Sequence, residues 1–265
     1  MERNVSMNDL TIVVPLGIST PGTPVIQFLQ WCVESLQQQE TSHKYKIVFA
    51  CDDNVSPEVK DLLNSTGCSI SWHDPYSFFR KGSIWKKIIT EWQKVDSKFV
   101  SFCHYDDLWS SNKVESQLNL MNMEGLDLSW SNVQIIDEHN RILNVANSRG
   151  FLNETTIRAG PSYAFSHSTI VSKDKFLNSG IMEYLDRSAP IYEGLHYLFC
   201  HKLKGNKDHN SIFYHRVHSS SVSNNLHTET PEISKIREIA EYSLNEVFQD
   251  EKSINLEDII KQIYS

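Results

Sequence analysis

The stretch FCHYDDLWSSNKVESQL, residues 102–118, ends an apolar run on an imidazole and two adjacent carboxylates: His104, Asp106 and Asp107. Like charges on neighbouring residues repel unless a cation or a set of donors compensates them. Mg²⁺ and Mn²⁺ take carboxylate oxygens and share their remaining positions with phosphate oxygens. The plainer alternative is that Asp106 ligates nothing and Asp107 caps the next helix. A second pair, Asp52 and Asp53, closes another apolar run. A carboxylate there can accept hydrogen bonds from a nucleobase N–H or ribose hydroxyls; a turn with Asn54 is the alternative. Arg80, Lys81, Lys86 and Lys87 form a local basic cluster able to approach a diphosphate. For Lys86 and Lys87 the reading taken is a solvated helix face. Further on, His215, Arg216 and His218 close a late apolar stretch. Strand alternation puts Arg216 and His218 on one face and His215 on the other. His218 can ligate a metal through a neutral ring nitrogen, or simply form hydrogen bonds.

These groups need a frame. LTIVVPL (10–16), YKIVFAC (45–51), CSISW (68–72) and KFVSFC (98–103) read as strands, the first two buried on both faces. Helices are expected over 21–39, from the cap Ser56 with Pro57 at its first position, over 82–95 and over 111–123. LDLSWSNVQIID (126–137) returns to strand. Strand and helix alternate, which predicts a parallel sheet with helices on both faces. Ligands bind such sheets beyond the carboxyl ends of the strands. Gly17, Asp52–Asp53 and His104–Asp107 all fall at such ends. After residue 140 the rhythm breaks. A strand is expected over 163–173, a helix over 191–205 capped by Gly205, a strand running into a polar loop over 211–225, and closing helices over 231–249 and 255–264.

Composition narrows the class. The chain has 265 residues, is 40% hydrophobic and carries a formal charge of −8, which disfavours a nucleic-acid backbone as main partner. Five cysteines stand without a CxxC pair and are expected to be reduced, mostly buried thiols of a cytosolic protein. The start MERNVSMNDL has no apolar leader, and no window approaches the ~20 apolar residues of a membrane helix. The expected location is cytoplasmic, with peripheral contact at the inner membrane face left open.

Taken in order, these segments resemble the family 2 glycosyltransferases of GT-A fold, in particular bacterial enzymes of cell-surface polysaccharide synthesis. TIVVPL resembles their first strand and ACDDNVS their nucleoside-holding motif. FCHYDDLWSSNKVESQL is similar to their DxD segment, FSHSTIVSKDKFLNSGIMEY to an acceptor-side segment, IYEGLHYLFCHKLKG to the helix bearing an ED motif, and YHRVHSSSVS to a YRxHxxSxS segment. The likeness spans roughly residues 10–225. The implied fold is α/β of GT-A type: a Rossmann-like, mostly parallel central sheet flanked by helices, a smaller acceptor-side part and C-terminal helices. Residues 1–225 would form one catalytic domain, with a nucleotide-sugar-binding half over about 10–125 and an acceptor half over 126–225. Residues 226–265 would be a helical extension.

The resemblance implies inverting transfer of a sugar from a nucleotide-diphosphate donor to a hydroxyl of a glycan or lipid-linked acceptor, in O-antigen or capsule synthesis. A carboxylate takes the acceptor proton and Mn²⁺ or Mg²⁺ stabilises the leaving diphosphate. Carried over, Pro15, Leu16, Gly17, Asp52, Asp53, Arg80, His104, Tyr105, Asp106, Asp107 and Arg216 would bind the nucleotide-sugar. Asp106 and His218 would hold the metal. Glu193 is the expected base and Asp186 the second choice. Two departures stand out: His104 replaces the first Asp of DxD, and Gly194 replaces the Asp of ED. Two rivals follow. One is a degenerate relative that binds nucleotide as a non-catalytic partner. The other is a metal-dependent phosphoesterase built on His104, Asp106, Asp107, His167 and His218.

Overall fold

The computed structural model describes residues 8–17, 24–74, 82–146, 166–181 and 203–218. The first apolar run forms β1 (Leu10–Leu16), buried at every residue, as a strand covered on both faces must be. Helix α1 (Val25–Gln37) follows and buries Phe28, Leu29, Cys32, Val33 and Leu36, the expected stripe. Strand β2 (Tyr45–Asp52) leads to α2 (Pro57–Ser65), where the Ser56 hydroxyl accepts the Val59 N–H at 3.4 Å and Pro57 occupies the first turn. Then come β3 (Ser69–His73), α3 (Gly82–Lys94), β4 (Phe99–Phe102), the short β5 (Leu108–Trp109), α4 (Lys113–Glu124), β6 (Leu128–Ile136) and β7 (Ile142–Ala146). A 3₁₀ turn at Ser166–Ser168 enters β8 (Thr169–Ser172), and β9 spans Gly205–Arg216.

The strands form one sheet in the order β3-β2-β1-β4-β8-β6-β9-β5, with β7 beside β6. The first four are mutually parallel, so their carboxyl ends share one edge. Beyond them the sheet is mixed: β8 runs antiparallel to both β4 and β6, β9 parallel to β6, and β5 antiparallel to β9. Side chains of β1, β2, α1 and α4 share the core, including Val14, Phe49, Leu29 and Leu118.

Three expectations change. The strand expected over 163–173 is shorter, because Ser166–Ser168 close a helical turn first. Gly205 does not cap a helix; it opens β9, pairing with Leu128. A Cβ there would meet the Leu128 side chain at 3.1 Å, so close strand packing, not a helix end, selects glycine. The strand expected to start at 211 and run into a polar loop therefore begins earlier, at Gly205. Residues 191–202 and both closing helices lie outside the described residues, as does Cys200. The described cysteines are free, with Cys32, Cys51 and Cys103 buried.

Candidate active site at the carboxyl edge of the sheet

At the ends of β1 and β2 a cavity of about 650 Å³ opens between the starts of α1 and α2, lined among others by Leu16, Gly17, Gln27, Gln30, Asn54 and Ser56. Its floor is polar. Asp52, the last residue of β2, is buried and receives the Lys87 ammonium of α3 at 2.5 Å. The same ammonium donates to the Leu16 carbonyl at 3.3 Å. One cation thus ties the ends of both strands to α3. Gly17 lies against this carboxylate: a Cβ there would come within 2.9 Å of Asp52 Oδ2. Lys87 is therefore not on a solvated face, contrary to expectation; it is 2% exposed because Asp52 compensates its charge. Pro15 is buried in β1 opposite Ala50. Asp53 is exposed in the turn after β2, where its N–H donates to the His73 carbonyl at 2.9 Å.

The second group gathers past β4. The chain turns over His104–Asp107, with the Asp107 N–H donating to the His104 carbonyl at 3.1 Å, and then enters β5. Pairing of β5 with β9 sets Leu108 opposite Tyr214 and Trp109 opposite Phe213. Extending that antiparallel register puts Asp107 opposite His215 and Asp106 opposite Arg216, and the contacts agree. Asp107 Oδ1 accepts the Arg216 N–H at 2.9 Å and lies 3.2 Å from His215 Nδ1. Asp106 Oδ2 lies 3.2 Å from His218 Nε2. A second register does the same on the other side. Because β8 pairs Val171 with Val100 and Ser172 with Phe99, its extension brings His167 opposite His104. Their rings are 4.1 Å apart, and His167 Nδ1 is 3.6 Å from Asp107 Oδ2.

The environment drives the adjacent carboxylates apart. Burial works to raise both. At Asp106 the hydrogen bond with His218 and the charges of His104, His215 and His218 prevail and hold the carboxyl below the usual range. At Asp107 burial prevails, with help from Asp106, and the group is pushed up despite His215. Tyr105 is half-buried and packs against the core.

Arg216 is fully buried. Its Nε donates to the Asp106 carbonyl at 2.7 Å, one terminal nitrogen to the Asp137 carbonyl at 2.7 Å, and the other to Asn140 Oδ1 at 2.6 Å. The guanidinium stacks 4.7 Å over Phe28 and 5.0 Å over Trp31. It clamps the Asp106 turn to the β6–β7 hairpin through three of its five N–H donors.

The structure thus brings Leu16, Gly17 and Asp52 to one end of the edge, and His104, Asp106, Asp107, Arg216 and His218 to the other. Arg80, Asp186 and Glu193 lie outside the described residues. His215 and His167 belong to the cluster although neither was expected to bind nucleotide or metal in the transferase reading; only strand pairing reveals them. A group able to hold a metal ion is formed by His104, Asp107 and His167, whose ligand atoms lie within 4.8 Å of one another. For the expected Asp106–His218 pair, the separation of 3.2 Å suits neighbouring ligands of an octahedral ion, which stand about 3 Å apart at bond lengths of about 2.1 Å.

The sequence matches no protein-family model and no curated protein. Solved structures do match. The crystal structure of S. aureus TarS 1-349 in complex with UDP-GlcNAc superposes with a TM-score of 0.61 at 10% identity, covering 91% of this chain and 66% of that one. The complex of TarS 1-349 with UDP gives 0.57 at 11% identity, covering 89% and 65%. The longer S. aureus TarS structure gives 0.55 at 13% identity, covering 91% and 43%. The chain therefore spans less than two thirds of each of these structures. At such identity the likeness establishes the fold, which is the expected GT-A type. No helix among the described residues is long and apolar enough to cross a membrane.

Proposed function

We propose that this chain is an inverting glycosyltransferase of the family 2 type, moving a sugar from a nucleotide-diphosphate donor to a hydroxyl of a glycan or lipid-linked acceptor. The observation that carries the reading is the pairing of a cavity over β1 and β2 with an imidazole–carboxylate cluster past β4, on one edge of a parallel half-sheet. The cavity would take the nucleoside. The Asp52 carboxylate, fixed by Lys87, packs against Gly17 of its lining. The diphosphate would extend toward the Asp106 turn. A Mn²⁺ or Mg²⁺ ion bound there would be held by Asp106 and His218 and would supply positive charge against the leaving diphosphate. A mixed oxygen and nitrogen pair suits Mn²⁺ better than Mg²⁺.

Arg216 acts as a positioning residue, fixing the turn that carries Asp106. Glu193 is the proposed base, with Asp186 second. Because TarS is seen with UDP and UDP-GlcNAc, UDP-sugars are the donors to try first. A role in surface polysaccharide synthesis, at the cytoplasmic face of the membrane, completes the proposal.

The test is release of UDP from UDP-sugars, with and without candidate acceptors, in wild type, Glu193→Gln and Asp186→Asn. Turnover lost in one of these variants with nucleotide binding retained supports the reading; turnover unchanged in both contradicts the assigned bases. The His104, Asp107 and His167 group favours a second reading, metal-dependent phosphoester hydrolysis. Hydrolysis of a generic phosphoester by the metal-loaded chain, with no sugar transfer, would select it.

A further inference from the structure

The two carboxylates of the turn serve different partners. Asp106 Oδ2 faces His218. Asp107 Oδ2 faces the other way, toward His167 at 3.6 Å, and takes no hydrogen bond from the described residues although Asp107 is 1% exposed. An acceptor oxygen buried in that way carries a cost unless something positive meets it. His104 completes the group from the start of the turn, half-buried, its ring 4.1 Å from that of His167.

We propose that His104, Asp107 and His167 form a second metal site, distinct from the Asp106–His218 pair, that binds a Zn²⁺-class transition ion. Geometry comes first. The Asp107–His167 edge of 3.6 Å compares with about 3.4 Å for a tetrahedral ion with bonds of about 2.1 Å. The remaining separations, within 4.8 Å, close by rotation of the half-buried His104 ring. Donor chemistry comes next. Two imidazoles and one carboxylate suit Zn²⁺, Co²⁺ or Ni²⁺, whereas Mg²⁺ prefers an all-oxygen shell and keeps several waters. The walls leave little room for those waters: Phe102 packs edge-on against His167 at 4.9 Å, and Phe213 lies 5.7 Å away.

The supporting contacts fit too. The other oxygen of Asp107 is held by the Arg216 N–H and faces His215, which fixes the carboxylate's orientation as outer-shell partners of metal ligands do. Three protein donors leave a fourth position for water or a ligand oxygen. The ion would join the end of β4 to the start of β8, fastening the two halves of the sheet beside the proposed diphosphate position. The site stands independently of the transferase reading.

The test loads the metal-free full-length chain with Co²⁺ and then displaces it with Zn²⁺. The expected result is one tightly held Co²⁺ with the intense visible bands of four-coordination, bleached by Zn²⁺ but not by excess Mg²⁺. His104→Asn and His167→Asn should abolish the bands; His218→Asn should retain them. X-ray absorption of the Zn²⁺-loaded wild type needs no variant and should show two imidazoles in the first shell. A folded wild type without the bands, bands that survive His167→Asn, or a first shell with a single imidazole would overturn the site. Nucleotide binding, measured on the same samples, reports on the transferase reading separately.

Discussion

Lys87→Met isolates the buried pair that packs against Leu16 and Gly17 of the proposed nucleoside cavity. Lys87 and Asp52 have side chains 1% and 2% exposed and meet at 2.5 Å. At an effective dielectric constant of about 20, two unit charges at that distance attract by roughly 7 kcal/mol, most of which offsets the loss of hydration of both ions. Removing the cation alone leaves the Asp52 carboxylate buried without compensation. That costs about 3–5 kcal/mol, enough to lower the melting temperature by roughly 10 °C in a chain of this size. Asp52→Asn should cost a similar amount by stranding the ammonium. The double variant Asp52→Asn with Lys87→Met should cost less than the sum of the two, with a coupling of about 2 kcal/mol or more. Urea unfolding followed by circular dichroism measures all four proteins. A loss below about 1 kcal/mol for Lys87→Met, the range of exposed ion pairs, together with additive single effects, would refute the buried pair and restore the solvated helix face.

Gly17→Ala places a methyl 2.9 Å from Asp52 Oδ2; it should cost the fold about 1–3 kcal/mol and weaken nucleotide binding at least several-fold by calorimetry, and unchanged affinity would remove Gly17 from the site. Arg216→Lys cannot reproduce bonds to Asp106, Asp137 and Asn140 from one ammonium, so unfolding in urea should show a loss of about 3 kcal/mol; a loss within experimental error contradicts the clamp. Lys113 is fully buried, its Nζ donating to the Ser168 carbonyl at 2.9 Å and lying over Trp109. Burial pushes its pKa down to about 7. The unfolded chain keeps that proton up to about pH 10.4, so between the two values the unfolded state binds more protons and stability falls as pH is lowered toward 7. Lys113→Met should flatten this part of the curve by about 3 kcal/mol between roughly pH 9.5 and pH 7; a variant as pH-dependent as the wild type contradicts it.

The parallel half of the sheet was legible because its signals are local. β1 is an unbroken apolar run, α1 shows its stripe, and Ser56-Pro57 announces α2. The ends of those strands, with Gly17, Asp52 and Asp106, followed from topology alone. What stayed hidden depends on pairing between distant segments. His167 reaches His104 only because β8 runs antiparallel to β4, and nothing within FSHST states that register. His215 was placed on the face away from Arg216, yet both meet Asp107, one through a side chain and the other through its backbone N–H. Lys87 looked like surface because a lysine on a helix usually is; its burial follows from Asp52, thirty-five positions earlier. Gly205 resembled a helix cap because its constraint, the packing of β9 on β6, lies across the sheet.

The most direct test of the central claim is titration of the full chain with UDP, GDP, CDP and dTDP, each with Mn²⁺, Mg²⁺ or EDTA, read by calorimetry and thermal shift. One diphosphate should bind one-to-one, tightened by Mn²⁺, with an apparent stabilisation of about 2.7 kcal/mol at a hundredfold excess over Kd. Binding should weaken in Gly17→Ala and His218→Asn. Absence of binding by every diphosphate under every metal condition, in a chain that remains folded, would contradict it.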